Sequence, residues 1–259
     1  MKQHHGVVSF VREVAQDIFE MVLETEMAAQ FFVPGQFAHV VVPDAPHLLL
    51  RRPISIHSLD KDAGTVTLIV QQKGEGTQRL CACKPGDSLD IMGPLGRGFA
   101  LPEKGKRVAL IGGGVGIAPL RSILEAWPGL EADAFLGYRS ENQIYGLSVY
   151  EKLCRRVTVS TEDGSFGEKG FVTQPFAAAL ALQKYDCLYV CGPAPMLRAV
   201  AKVALPTGIP CQVSLEERMG CGMGGCRVCT CKTNDSNGGW NYKRVCMDGP
   251  VFQLGEVEL

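Results

Sequence analysis

Hydrophobic and polar positions change their rhythm twice along the chain. Up to about Phe99, short β-branched or alternating runs recur: Val7–Phe10, Phe37–Val42, Ile54–His57, Val66–Val70 and Ser88–Met92. Turn-forming stretches separate them, among them Pro34-Gly35, Pro43-Asp44, Asp62-Ala63-Gly64 and Lys84-Pro85-Gly86-Asp87. Short strands at that spacing predict an antiparallel barrel or sandwich. Gly93-Pro94-Leu95-Gly96-Arg97-Gly98 closes the segment, being rich in residues that end regular structure. From Lys106 onward the runs alternate in type. Arg107–Ile111, Ala132–Leu136, Val157–Ser160 and Cys187–Cys191 read as strands; Leu120–Ala126, Thr173–Leu182 and Pro195–Ala204 read as helices. That alternation predicts a parallel sheet with helices on both faces. Roughly the last fifty residues follow neither pattern and are rich in Gly and Cys, so they need an inorganic staple to hold a fold. The organisation expected is three units, 1–99, 100–210 and 211–259.

Composition narrows the function classes. The chain has 259 residues, room for two ordinary domains and a small third one. Its formal net charge is -1 and the charges are scattered, so the basic stripe of a nucleic-acid binder is absent. The first ten residues hold no apolar signal-peptide core, and no run approaches the roughly 20 apolar residues of a membrane span. A soluble cytoplasmic protein is expected. Eleven cysteines in such a chain point to metal or redox chemistry rather than disulfides.

Cys221, Cys226, Cys229 and Cys246 form the pattern C-x4-C-x2-C…C, the spacing of plant-type [2Fe–2S] ligation. Gly222, Gly224 and Gly225 let the loop turn tightly and bring N–H groups toward the sulfurs. Zinc sites more often pair two C-x2-C units. Cys231 reads as a neighbouring thiol outside the ligand set, because the x2 spacing already selects Cys229. Cys81, Cys83, Cys154, Cys187 and Cys211 read as small buried hydrophobes.

Two further elements sit at strand ends. Gly112-Gly113-Gly114-Val115-Gly116 follows a strand and opens a helix, where backbone N–H groups can approach a pyrophosphate. Cys191-Gly192-Pro193 ends another strand, at the carboxyl edge where ligands of open α/β sheets bind. A glycine loop alone serves a tight turn, and a cysteine alone is a core residue; together they suit a nicotinamide site with Cys191 beside the ring. In the first segment, Arg52-Pro53-Ile54-Ser55 supplies a guanidinium fork for phosphate and a hydroxyl for a flavin ring nitrogen. Gly76 and Thr77, at a helix start, supply donors for a diphosphate.

The order R-x-x-S, G-x-G-T, GGGxGxAP, CGP resembles the ferredoxin–NADP reductase superfamily. With its cysteine-rich ending, and with Thr161-Glu162-Asp163-Gly164-Ser165 and Gly170-Phe171-Val172-Thr173, the whole chain resembles the electron-transfer subunits of class 1B dihydroorotate dehydrogenases. The resemblance implies an α+β multidomain fold: a Greek-key FAD barrel, a Rossmann-like α/β nucleotide domain and a small [2Fe–2S] domain. It implies FAD held by Arg52, Pro53, Ile54, Ser55, Ile69, Val70, Gln71, Gly76 and Thr77. NAD would meet Gly112, Gly113, Gly114, Gly116, Gly192 and Pro193. Ile54 stands where the wider superfamily often has an aromatic, and the dihydroorotate branch commonly has an aliphatic. Tyr138-Arg139-Ser140 leaves NADP open, and the preference for NAD rests on the resemblance.

The implied function is transfer of electrons from an FMN-containing catalytic subunit, through the cluster and FAD, to NAD in pyrimidine biosynthesis. The implied assembly is a heterotetramer with two copies of each subunit. The alternatives are the small subunit of another flavin and iron–sulfur NAD(P)H oxidoreductase, of ferredoxin–NADP reductase or sulfide dehydrogenase type, and a flavin-binding redox sensor.

Overall fold

A computed structural model of the chain describes residues 2–103, 105–235 and 238–259. The first segment is a closed antiparallel barrel of six strands: β1 (Gln3–Ala15), β2 (Ile18–Thr25), β3 (Phe37–Val40), β4 (Arg52–Asp60), β5 (Thr65–Gln71) and β6 (Ser88–Leu95). The order β1-β2-β5-β4-β3-β6 is Greek-key, and β6 returns to pair with β1 from Gln3↔Met92 to Val7↔Ser88. Closure leaves no strand edge open to water. The period-2 alternation needed for one buried face is visible in β1, where His4, Gly6 and Val8 point inward. β2 is the strand the sequence reading passes over. Phe19, Met21, Val22 and Leu23 blur its alternation, and its pairing with both β1 and β5 supplies what local pattern does not.

Between the barrel and the cysteine-rich segment lies a seven-stranded sheet of order β10-β9-β8-β7-β11-β12-β15. Its strands are β7 (Arg107–Gly113), β8 (Glu131–Tyr138), β9 (Arg156–Thr161), β10 (Glu168–Lys169), β11 (Cys187–Cys191), β12 (Cys211–Ser214) and β15 (Val251–Gln253). The helices are α2 (Ile117–Ala126), α3 (Leu147–Leu153), α4 (Thr173–Leu182) and α5 (Ala194–Ala204). The short α1 (Glu75–Cys81) belongs to the barrel unit. Central β7 is apolar from Val108 to Ile111 and fully buried there, as a strand covered on both faces must be. All pairings are parallel except β12–β15.

Two strands of this sheet, β12 and β15, come from the 211–259 segment, which by pattern carries no strands. Each is only three or four residues long, too short for a period to show, and each exists because the sheet edge offers hydrogen bonds. The remainder of the segment adds one hairpin, β13 (Thr230–Asn234) with β14 (Trp240–Arg244).

The barrel is pinned to the sheet unit through a buried histidine. His57 on β4 contacts the Ala118 carbonyl through Nδ1 at 2.9 Å and Arg121 through Nε2 at 2.9 Å. A guanidinium only donates, so Nε2 is the acceptor and Nδ1 carries the proton. Burial first, then the Arg121 charge, lowers the imidazole pKa to about 4 against the pull of the Ala118 carbonyl. Between that value and about 6.5 the unfolded chain binds a proton that the folded chain refuses, so this contribution to stability is lost as pH falls through that window. The expected loss is about 1.4 kcal/mol for each pH unit. His57→Asn should therefore flatten the dependence of unfolding free energy on pH between roughly 6.5 and 4. Urea titrations across that range measure it, and parallel slopes for parent and variant would refute the assignment.

Candidate functional site

A cleft of about 850 Å³ opens where the barrel meets the sheet unit. A volume of that order suits a large organic cofactor. Arg52, Pro53, Ile54 and Ser55 enter it from the start of β4, and Ile69 and Gln71 from the end of β5. Val70 is absent from this wall. Successive strand residues face opposite ways, so its side chain packs in the barrel core with Leu68 and Ile56. Gly76 and Thr77 do not line the cleft; they form the first turn of α1, against the Arg52 guanidinium. A methyl group at Gly76 would collide with that guanidinium, so glycine is what lets the cation lie along the helix start. Arg52 is anchored by the Leu50 carbonyl, and Lys73 adds a second cation to the same wall. Ile54 and Ile69 give apolar surface for a flat ring, and the cations suit a diphosphate. The residues present fit FAD.

The opposite wall comes from the sheet. Strands β9-β8-β7 run one way in sequence order and β11-β12 the other, so the switch point lies between β7 and β11. Ligands of open α/β sheets bind there. Val115, Gly116 and Cys191 all reach the cleft from these two strand ends. Of the other predicted glycines, Gly112, Gly113 and Gly192 serve packing. Gly112 faces Ile117 and Leu120 of α2, while Gly113 and Gly192 both lie against Met196, with Pro193 alongside. Gly116 sits on the Cys191 backbone, where a side chain would strike its carbonyl. Gly114 has φ +54 and open space where a side chain would point, leaving its amide edge free for a ligand. Burial, with the Glu216 charge nearby, pushes the Cys191 thiol well up against a weaker pull from Ser214, so it stays neutral.

The cysteine loop continues from the cleft wall. Ser214, Leu215, Glu216, Glu217, Arg218 and Met219 line the cleft, and Cys221 follows two residues later. Among the described residues, no three His, Cys, Asp or Glu side chains converge as on a single ion. The thiols fall into two pairs instead. Cys221 and Cys226 donate N–H groups to each other's sulfurs at 3.3 and 3.4 Å, and Cys246 donates to the Cys229 sulfur at 3.4 Å. Gly224 joins the pairs by donating to the Cys246 sulfur at 3.2 Å, and Met223 donates to the Cys221 sulfur at 3.4 Å. Positive φ at Gly222 and Gly224 aims these amides inward. Burial raises the Cys221 thiol, but the amides of Cys226 and Met223 outweigh it and hold the pKa down to about 6. Two thiol pairs ringed by amide donors fit two irons with two protein sulfurs each.

Cys231 lies on β13 and is buried in the core around Val245. Cys83, Cys187 and Cys211 are buried, and Cys81 and Cys154 are half-buried.

Comparison with known proteins accords with this geometry. Residues 6–99 match the oxidoreductase FAD-binding domain, 110–202 the oxidoreductase NAD-binding domain, and 216–258 the iron-sulfur cluster binding domain of dihydroorotate dehydrogenase B. The dihydroorotate dehydrogenase B (NAD(+)) electron transfer subunit of Shouchella clausii is 41% identical over 267 residues, with all of both chains covered. The chain belongs to this electron transfer subunit family. The Bacillus velezensis member is 40% identical, again over the full length of both chains. Among solved structures, that of the NADH-dependent reduced ferredoxin-NADP oxidoreductase is similar at TM-score 0.85 and 29% identity, covering 98% of this chain and 89% of that one. The ferredoxin reductase of carbazole 1,9a-dioxygenase is similar at TM-score 0.70 and 26% identity, covering 81% and 67%. FAD, NAD and a [2Fe–2S] cluster are the cofactors of the family.

Several cleft residues escape sequence reasoning. Arg51 holds Asp90 through two nitrogens at 3.0 and 2.7 Å and so ties the chain ahead of β4 to β6. The run Glu216-Glu217-Arg218-Met219 forms cleft wall although it has no periodicity. Its one local signal is a charged triplet, Glu216-Glu217-Arg218, separated from Cys221 by Met219 and Gly220.

The thiol pairing yields a direct test. Cys226→Ser should abolish the visible cluster spectrum and leave fewer than two irons per chain, whereas Cys231→Ser should retain both. Iron and sulfide analysis with absorption spectra decides it; cluster loss in Cys231→Ser would redraw the ligand set.

Proposed function

We propose that the chain passes electrons from an FMN-containing dihydroorotate dehydrogenase subunit to NAD+, as one half of a pyrimidine-biosynthetic enzyme. The observation that carries this reading is that one segment, residues 214–219, walls the flavin cleft and leads straight into the cysteine loop. A cluster held there lies beside the flavin. When bound, FAD converts between the one-electron chemistry of the cluster and the two-electron hydride chemistry of NAD.

In this reading residues 1–99 bind FAD, 100–210 bind NAD and 211–259 carry the cluster, the last unit also lending β12 and β15 to the sheet. Arg52 and the first-turn amides of Gly76 and Thr77 hold the diphosphate. Ser55 hydrogen-bonds the ring, Ile54 and Ile69 shield it from water, and Pro53 and Gln71 complete the wall. Val70 contributes through its backbone alone. Gly114 gives the NAD pyrophosphate close approach, while Gly112, Gly113, Gly116, Gly192 and Pro193 pack the two loops that shape its site. Cys191 supplies a small neutral surface where the nicotinamide meets the flavin. The assembly is read as two copies of each subunit in the cytoplasm, engaging neither nucleic acid nor membrane. Among the described residues no helix is long and apolar enough to cross a membrane.

Two measurements test this reading. Arg52→Ala removes a charge-assisted contact of about 1.5–3 kcal/mol, so FAD affinity should fall roughly tenfold to a hundredfold. Equal FAD retention in parent and variant after gel filtration would take Arg52 out of the site. Stopped-flow absorbance on the complex with the FMN subunit follows the whole path. Cys221→Ser should leave FAD reduction by NADH working and stop NADH formation from dihydroorotate. Equal slowing of both half-reactions would refute a linear relay.

A further inference from the structure

His39 lies on β3 with no exposed surface, and neither of its ring nitrogens has a hydrogen-bond partner among the described residues. The Arg51 backbone is near enough to favour a ring proton but outside hydrogen-bonding geometry. An unpaired buried polar group is destabilising, a cost that a leucine at this position would not incur. The imidazole therefore calls for a partner that the described residues do not supply.

Its surroundings indicate where that partner lies. On one side is the flavin cleft. His39 is in register with Pro53, a cleft residue, and the Phe37 ring, also in the cleft wall, meets the imidazole edge-on at 6.4 Å between centroids. On the other side is the cysteine loop. Gly222 approaches so closely that a Cβ there would lie 2.5 Å from Nδ1 of His39. Gly222 separates Cys221 from Met223, whose amide donates to the Cys221 sulfur. Burial and the Arg51 charge hold the ring in its neutral form, which carries one N–H.

We infer that His39 is a positioning residue for the iron–sulfur cluster, with Nδ1–H donating from the barrel side toward the cluster or the Cys221 sulfur and favouring the reduced state. The inference rests on reading Cys221, Cys226, Cys229 and Cys246 as the cluster ligands. Reduction adds negative charge to the cluster, so a fixed donor is worth more after reduction than before. His39 then links the two redox sites mechanically, because the strand that carries it also carries Phe37 in the flavin wall.

The test is an EPR-monitored redox titration of the holoprotein, with iron, sulfide and FAD content measured in each sample. His39→Leu removes the donor and should shift the reduction equilibrium at least tenfold toward the oxidised cluster, 59 mV for one electron. His39→Asn keeps an amide N–H near the Nδ1 position and should stay within about threefold of the parent. Pulsed EPR on the parent labelled with 15N-histidine should show a histidine nitrogen coupled to the reduced cluster, lost in His39→Asn labelled the same way. An unchanged potential in His39→Leu, equal shifts in both variants, or no coupled nitrogen in the parent would overturn the inference. If His39→Leu fails to hold a cluster, the nitrogen coupling decides alone. A parent with no cluster overturns the ligand reading itself, an outcome distinct from a cluster indifferent to His39.

Discussion

The cluster segment depends on one short ladder at the edge of the sheet. β12 leaves that edge and β15 returns to it antiparallel, with Gln212↔Gln253, Val213↔Phe252 and Ser214↔Val251 in register. Leu215 extends the ladder by donating its N–H to the Pro250 carbonyl. Everything between is an excursion closed at its base, so the cysteine loop cannot drift from the nucleotide half. The same ladder sets residues 214–219 and Pro250 in the cleft wall. An inorganic cluster can hold a short chain together internally, but it does not orient that chain against a flavin. Backbone pairing does so here.

Of the contacts that hold the barrel against this assembly, two lie far apart in the chain. At one, His57 bridges β4 to α2 through the Ala118 carbonyl and Arg121. At the other, the Gly93–Gly98 stretch meets the returning chain, where Arg97 donates its N–H to the Gly249 carbonyl and Gln36 bonds the Gly96 carbonyl. A cleft between two units keeps its shape only if the units cannot hinge, and interfaces between domains are otherwise free to move. Two attachments far apart in sequence remove that freedom. This matters for a carrier of single electrons, whose redox groups must keep a fixed spacing.

Charge follows the same division. Arg52 and Lys73 lie on the barrel wall, where a diphosphate fits, while Glu216 and Glu217 come from the cluster side. Where groups must stay neutral they are buried: Cys191, His39 and His57 are each shifted toward the uncharged form, with burial the largest cause. The Cys221 thiol is shifted toward thiolate against its burial, because the amides of Cys226 and Met223 donate to its sulfur.

What the sequence by itself determined was local. The cysteine spacing, the strand-to-glycine turns at Gly112 and Cys191, and the change from short alternating runs to strand–helix alternation each occupy a few consecutive residues, so each is readable without knowing its neighbours in space. The tertiary structure decided whatever depends on pairing across the chain. β2, β12 and β15 carry too little pattern to declare themselves and are strands because other strands accept their hydrogen bonds. The pleat turns Val70 into the barrel while Ile69 and Gln71 face the cleft. Gly112 and Gly113 make room for α2 and Met196 instead of lining the cleft. His39 looks like any other strand residue until the cysteine loop is folded against it, because its unpaired nitrogen and Gly222 lie far apart along the chain and meet only through the barrel's contact with the cluster segment.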